Sequence, residues 1–230
     1  MASLSRKLLN RVLGPISWAY YRWGYGRTST ALAWLGRRLG TWEESGGRGD
    51  VPVSGAQWDE EFSHGRWGFL GAEKARYAVL AALLEDLPGD TRLLDVGCGE
   101  APLFDALRPA AQAAYAGIDL SSWAIESARQ RLGGHARLAV ADAESFELEP
   151  GWGGIVLNEC LYYLHDPVAQ AARYAAALAP GGVLVISMFR SVRTEAILRA
   201  LERRLELAEQ LTLTSERGSW QIALHRAARA

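Results

Sequence analysis

Apolar positions recur along this chain with two periods, and the change from one to the other marks its elements. From Leu4 to Leu13, Leu4, Leu8, Leu9, Val12 and Leu13 fall on one half of a helical projection, with Arg6, Lys7, Asn10 and Arg11 on the other. This predicts an amphipathic helix that Gly14-Pro15 ends. Thr41 to Gly55, rich in Gly, Pro, Ser and Asp, reads as a linker. From about 72 to 84, Ala75, Ala78, Val79, Ala82 and Leu83 recur at helical spacing, and Pro88-Gly89-Asp90 stops the helix. Short apolar runs then alternate with helical stretches. Strands are expected at 92–96, 114–118, 136–141, 154–158 and 183–187, and helices near 102–108, 121–131, 167–178 and 193–204. Ser121-Ser122 supplies a helix cap, and Val183 to Ser187 is the continuous apolar run of a central parallel strand. The β-like segments 205–214 and 219–226, joined by Ser215-Glu216-Arg217-Gly218, predict a hairpin. The expected fold class is α/β, an open, doubly wound, seven-stranded and mostly parallel sheet with an N-terminal helical extension.

Composition refines this in three ways. A chain of 230 residues, 49% hydrophobic, accommodates one α/β domain and an appendage, so we divide it into a basic, aromatic-rich extension and linker at 1–55 and the main domain at 56–230. The net charge of −1 hides an asymmetry, because residues 1–40 carry seven basic residues and no acid. That cationic piece is expected to pack on the core as a lid. The alternative is peripheral membrane contact, since Trp18, Tyr20, Tyr21, Trp23, Tyr25 and Trp34 lie among the basic residues. Only two cysteines occur, Cys98 and Cys160, far apart in apolar segments, which argues for a reducing compartment and against a disulfide framework. No apolar run approaches the roughly 20 residues of a membrane span. The expectation is a soluble, cytoplasmic protein without a metal; nothing in the sequence speaks to its oligomeric state.

The chemistry centres on Leu93-Leu94-Asp95-Val96-Gly97-Cys98-Gly99-Glu100-Ala101. A buried strand feeds a turn with glycine at 97 and 99, and Pro102-Leu103-Phe104 opens a helical run. Such a turn is either plain chain reversal or a nucleotide cradle, whose glycines let a ligand approach the backbone. The dinucleotide fingerprint wants glycine where Pro102 stands, and it needs no acid at Asp95, which suits a ligand carrying an ammonium group. Polar residues end four successive strands: Asp95, Asp119, Asp142 and the pair Asn158-Glu159. In a parallel sheet these ends form one crevice rim.

The series LLDVGCGE, AGIDLS, VADAESF, IVLNECLYYL and LAPGGVLVIS, over about residues 72–226, resembles the motifs of the class I S-adenosylmethionine-dependent methyltransferases. The resemblance implies a Rossmann-like sheet with an antiparallel last strand, and S-adenosylmethionine as cofactor. It implies that Asp95, Gly97, Cys98 and Gly99 hold the methionine part, that Asp119 takes both ribose hydroxyls, and that Leu120 and Trp123 face the adenine. Asp142 and Ala143 would lie at the adenine amino edge and Asn158 beside the methionine moiety. Ala101 stands where many relatives have a third glycine, and Phe62, between Trp58 and Trp67, where relatives often place an aromatic lid. The sulfonium leaves as a neutral thioether, so positioning dominates and a base is needed only for a hydroxyl or ammonium acceptor. Candidates for that role are Glu159, which as readily caps its turn, Tyr163, where many relatives carry histidine, and His165, which also reads as a loop residue; His64 is a further possibility. The stretches NECLYYL and WDEEF resemble bacterial small-molecule enzymes such as the nodulation N-methyltransferase group, implying a sugar, oligosaccharide or secondary metabolite as acceptor. A lipid-linked or aromatic O-acceptor, and a cofactor-binding scaffold of other chemistry, are the alternatives. The Asn/Asp-Pro-Pro-Tyr/Phe pattern of DNA amino-methylating enzymes is absent after the fourth strand, so no nucleic-acid partner is expected.

Overall fold

In the computed structural model, residues 54–226 are described except 66, 69–72, 89–90 and 216–217, together with positions 12, 13, 16, 31, 35 and 38. The readings of residues 1–40 as lid or membrane contact, and most of the linker, lie outside the described residues.

Helices α1 (Gly55–Ser63) and α2 (Lys74–Ala82) lie directly before the sheet. Ser54 opens α1 with a capping box, accepting from the Gln57 amide while the Gln57 side chain reaches back to the Ser54 backbone. The sheet that follows has the order β3-β2-β1-β4-β5-β7-β6. Its strands are β1 (Leu93–Val96), β2 (Tyr115–Asp119), β3 (Arg137–Val140), β4 (Trp152–Asn158), β5 (Leu178–Phe189), β6 (Glu206–Ser215) and β7 (Gly218–Arg226). Strands β1 to β5 pair in parallel, whereas β7 lies antiparallel between β5 and β6. The expected doubly wound, seven-stranded sheet and its terminal hairpin are therefore present.

Strand alternation sends apolar side chains to two cores. Leu93, Val156, Val183, Val185 and Ile222 pack with Tyr77, Leu80 and Leu84 of the α2 region, and with Ala128 and Leu132 of α4 (Ser122–Leu132). On the other face, Leu94, Val96, Ile155, Leu157 and Ile186 meet Tyr174 of α5 (Pro167–Ala176) and Ile197, Leu198 and Leu201 of α6 (Val192–Leu201).

Two helical expectations change. The stretch 102–108 is a short 3-10 turn at Phe104–Ala106, and a separate helix, α3 (Pro109–Ala113), follows. Pro109 holds the preceding Arg108 extended and starts a new helix at its favoured first position. In α2 the buried face is not the one traced by Ala75, Ala78 and Ala82, which are exposed, but Arg76, Tyr77, Leu80 and Ala81. Tyr77 and Leu80 bury far more apolar surface than the alanines, so they set the rotation of the helix. Arg76 goes inward with them.

Candidate active site

Asp95, Asp119 and Asn158 stand at or near the carboxyl ends of the adjacent strands β1, β2 and β4, and Asp142 follows β3 by two residues. Between them, Gly97 and Gly99 adopt left-handed backbone, with φ of 69° and 54°. A Cβ on Gly97 would lie 2.6 Å from the Cys160 Cβ, so the turn closes only around glycine. Ala101 is left-handed too, at φ 57°, and fully buried. It thus keeps the conformation expected of a glycine there, at a strain of about 1 kcal/mol. The Cys98 and Cys160 thiols are pushed well up by burial and stay neutral. The Cys98 Sγ points beneath the turn toward Gly117.

Asp119 joins the turn to α4. One carboxylate oxygen accepts from the Gly99 amide at 2.8 Å and the other from the Ser121 amide at 2.8 Å. Burial raises its pKa, opposed by the Ser121 and Gly99 amides. Ser121 is also the cap of α4, accepting from the Ala124 amide. Deeper in the rim, Asp95 is 2% exposed and accepts from the Tyr115 hydroxyl at 2.7 Å. Burial pushes its pKa up to about 7 against that hydrogen bond. Two buried acids with free lone pairs beside a glycine turn are able to accept hydrogen bonds from a diol or a cationic group. At the outer end, exposed Asp142 accepts from the Glu144 amide, and Tyr174 and Arg173 hold the Ala143 carbonyl, fixing that loop.

Helix α1 covers this rim. Asp59 accepts from the hydroxyls of Ser121 at 2.7 Å and Ser122 at 2.9 Å, and from the Trp123 amide at 3.0 Å. It caps α4 from another element. Phe62 is buried, and its ring lies 3.3 Å from where a Gly99 Cβ would be. It stacks on Trp123, with centroids 6.5 Å apart, and belongs with Trp58, Trp67 and Tyr163 to one aromatic cluster. Gly55 packs on Leu120, its missing Cβ only 3.0 Å from the Leu120 carbonyl. Phe62, Leu120 and Trp123 are thus gathered at one edge of the crevice.

On the far side, Glu159 is one of the two described non-glycine residues with positive φ, at 56°, a strain that concentrates at functional sites. Its Oε2 accepts from the Tyr162 hydroxyl at 3.0 Å, and its Oε1 is 3.6 Å from Arg76 Nη1. Burial raises its pKa, opposed by Arg76 and then Tyr162. Arg76 also donates to Asn158 Oδ1 at 3.2 Å and lies over the Trp220 ring. Tyr163 is 39% exposed, and its ring meets Trp58 edge-on at 5.2 Å. His165 is exposed, with its backbone amide on the Glu144 carboxylate. Exposed His64 ends α1, Nδ1 2.7 Å from the Glu60 carbonyl. The structure therefore gathers Glu159 with Asn158 and leaves His64 and His165 at the surface. Sequence reasoning missed Asp59, Arg76, Tyr115 and Tyr162. Arg76 alone had a readable signal, an arginine four residues before Leu80 and eight before Leu84 on one helical stripe.

A separate cavity of about 600 Å³ lies against the β3 edge, lined by Leu94, Ile118, Leu138, Phe146 and Trp152, with arginines 129 and 137 as its charged residues. Its lining includes no acid or nucleophile. Among the described residues there is no group of three or more His, Cys, Asp or Glu that could hold a metal, and no helix long and apolar enough to cross a membrane.

Comparison with known proteins identifies the family and the fold. A family model described as a methyltransferase domain matches residues 68–226. A trans-aconitate 2-methyltransferase of Rhodopseudomonas palustris (strain BisB18) is 30% identical over 136 residues, 58% of this chain and 50% of that protein. The chain spans about half the length of the curated relatives it matches. Among solved structures, the N-methyltransferase NodS of Bradyrhizobium japonicum WM9 with S-adenosyl-L-homocysteine superposes with a TM-score of 0.58 at 23% identity, covering 69% of this chain and 87% of that one. The [4+2]-cyclase SpnF also reaches 0.58, at 17% identity over 67% of this chain and 81% of its own, so the fold by itself does not decide the reaction. With 68–226 matched as a domain, the chain belongs to the methyltransferase-domain family, and its fold is that of the class I S-adenosylmethionine-dependent methyltransferases, whose cofactor is S-adenosylmethionine.

Proposed function

We propose that this chain transfers the methyl group of S-adenosylmethionine to a small-molecule acceptor that enters beside Glu159. The observation that carries the reading is the Asp119 carboxylate bridging the Gly99 and Ser121 amides at the crevice rim. Each of its oxygens retains a lone pair for a ribose hydroxyl. The left-handed Gly97 and Gly99 leave backbone bare for the methionine part, and Asp95 supplies a buried carboxyl whose ionised form would pair with its ammonium. Leu120 and Trp123 offer apolar faces to the adenine, with Asp142 and Ala143 toward its amino edge, and Asn158 borders the methionine moiety. Cofactor and chain thus fit one another.

The cofactor supplies an electrophilic methyl on sulfur. The protein's own contribution is to bind, orient and exclude water: α1 closes the rim through Asp59 and Phe62, and the acceptor side holds Glu159 in a fixed pose. With its pKa raised by burial, Glu159 is the residue we assign to take a proton from a hydroxyl or ammonium acceptor. Tyr163 and His165 belong to the mouth of the same site.

For the acceptor we favour a sugar, an oligosaccharide or a secondary metabolite. Trp58, Trp67, Trp123 and Tyr163 at the rim support that choice, since aromatic faces pack well on sugar rings and flat metabolites. A second reading, an acidic acceptor, is favoured by buried Arg76 and by the trans-aconitate in the names of the curated relatives. A cytoplasmic setting belongs to this reading, and the free thiols Cys98 and Cys160 support it.

The test is calorimetry of the full chain with S-adenosylhomocysteine, followed by incubation with methyl-labelled cofactor and fractionated bacterial metabolites. Label in a water-soluble metabolite supports the reading, and label in lipid supports the lipid-linked alternative. Tight cofactor binding with no label transferred to any fraction overturns methyl transfer.

A further inference from the structure

The polar cluster behind Glu159 has hydrogen-bonding capacity that the chain itself does not use. Arg76 is 1% exposed, yet neither Nε nor Nη2 has a hydrogen-bond partner; only Nη1 is engaged, with Asn158. Nε–H and Nη2–H form one edge of the guanidinium, the fork that receives a carboxylate through two parallel hydrogen bonds. Glu73 Oε2 stands 4.0 Å from Nε, at ion-pair distance and outside hydrogen-bond reach. A third unused group is Ser187 Oγ, on a fully buried residue. Ser187 pairs with Asn158 across β4 and β5, so the two share the sheet face that α2 covers. Trp220, on whose ring Arg76 rests, directs its indole N–H toward Glu159, whose pKa it lowers.

Buried donors are almost always paired, because an unmade hydrogen bond to a charged group costs its full desolvation. Here the unused donors are Arg76 Nε–H and Nη2–H and the Ser187 hydroxyl, while Glu73 and Glu159 stand at ion-pair distance from Arg76 and outside hydrogen-bond reach. A neutral polyol would add donors where donors are already in excess. A carboxylate brings acceptors alone and matches the fork in shape and charge.

Resting on the methyltransferase reading above and taking its second, acidic acceptor over its first, we propose that Arg76, assisted by Ser187, is the anchor for a carboxylate of the methyl acceptor, so that the acceptor is a small carboxylic acid. The acceptor enters past Tyr162 and Tyr163, whose rings pack at 4.7 Å, and Trp58 of α1 leans on Tyr163. Lifting α1 frees that wall. Glu73 is the resident competitor for the fork.

The experiment is calorimetry on the full chain saturated with S-adenosylhomocysteine, using trans-aconitate, succinate and acetate, with trimethyl trans-aconitate and N-acetylglucosamine as uncharged controls. At least one carboxylate is expected to bind and the uncharged controls are not. Arg76→Lys, which keeps the charge and loses the fork, should weaken that binding by about tenfold or more, and Ser187→Ala by severalfold. Glu73→Gln should leave it intact or tighten it. If Arg76 serves only to neutralise Glu73 and Glu159, no carboxylate binds while S-adenosylhomocysteine does, and the proposal falls. It falls equally if N-acetylglucosamine saturates the site, or if Arg76→Lys binds the carboxylate as the parent does. Failure to bind S-adenosylhomocysteine at all would instead overturn the methyltransferase reading beneath it.

Discussion

The carboxylate of Asp59 accepts a 2.7 Å hydrogen bond from the hydroxyl of Ser121, the residue that caps α4, and so ties α1 to the wall of the strand-end crevice. The same carboxylate takes the Ser122 hydroxyl and the Trp123 amide, and the Trp123 amide holds its pKa below the ordinary 3.8 against the effect of burial. A lowered carboxylate stabilises the docked lid above its unfolded value, and that contribution is lost as pH falls through the folded one. Asp59→Ala should therefore loosen α1 by about 1 kcal/mol, the usual value of a helix cap. Hydrogen exchange over residues 55–63 should rise in the variant at neutral pH, and in the parent only below about pH 4. Equal protection in the two proteins at pH 7 would show that the aromatic cluster alone docks the helix.

Asp119→Ala removes the clasp between the Gly99 and Ser121 amides and, on the proposed cofactor site, would remove two ribose hydrogen bonds as well. We expect cofactor affinity to fall by about 2–4 kcal/mol, since both bonds involve a charged acceptor. Calorimetry with S-adenosylhomocysteine checks this, and an unchanged affinity would remove Asp119 from the site.

What could be read beforehand was whatever depends on neighbours in sequence. The Ser121 cap, the left-handed glycines after β1 and the hairpin of β6 and β7 are local patterns, and each formed where expected. The break at Pro109 was equally local, yet the apolar pattern across 102–108 masked it. Asp59 and Arg76 were illegible for a different reason. Asp59 caps a helix more than sixty residues ahead of it, and Arg76 is explained by Asn158, Glu159 and Trp220 from two distant strand ends. No periodicity within α1 or α2 reports such partners; for Arg76 it could only mark an arginine on a buried stripe.

Asp95 carries a cost that should be measurable without any ligand. Burial raises its pKa to about 7 from the ordinary 3.8, so the folded state holds a proton that the unfolded chain releases. Its ionisation therefore destabilises the fold progressively as pH rises from about 4 to 7, and not below. Asp95→Asn keeps an acceptor for the Tyr115 hydroxyl and removes the charge. Denaturant unfolding should show the variant gaining on the parent across that window, by at most about 4 kcal/mol at its upper end. Cofactor binding should weaken at the same time, the usual exchange of stability for function. A stability difference that does not change with pH would mean that Asp95 titrates alike in folded and unfolded chains.

Glu159 allows the sign of a pH effect to be tied to chemistry. Burial raises its pKa, while Arg76, the Tyr162 hydroxyl, the Phe189 amide and the Trp220 indole lower it; Tyr77 and Cys160 are its other titratable neighbours. As a base it works only when ionised, so kcat/KM should rise with pH through that raised value. Tyr162→Phe removes one lowering hydrogen bond and should carry the acid limb of the profile to higher pH, leaving its plateau nearly unchanged. Glu159→Gln should remove the limb and reduce turnover by about a hundredfold or more, with little effect on S-adenosylhomocysteine affinity. Tyr163→Phe, whose ring supports the lid through Trp58, should lower turnover less than Glu159→Gln does. If the acid limb keeps its position in Tyr162→Phe and survives in Glu159→Gln, the proton leaves through another group or the acceptor reacts already deprotonated, and the Glu159 assignment is lost.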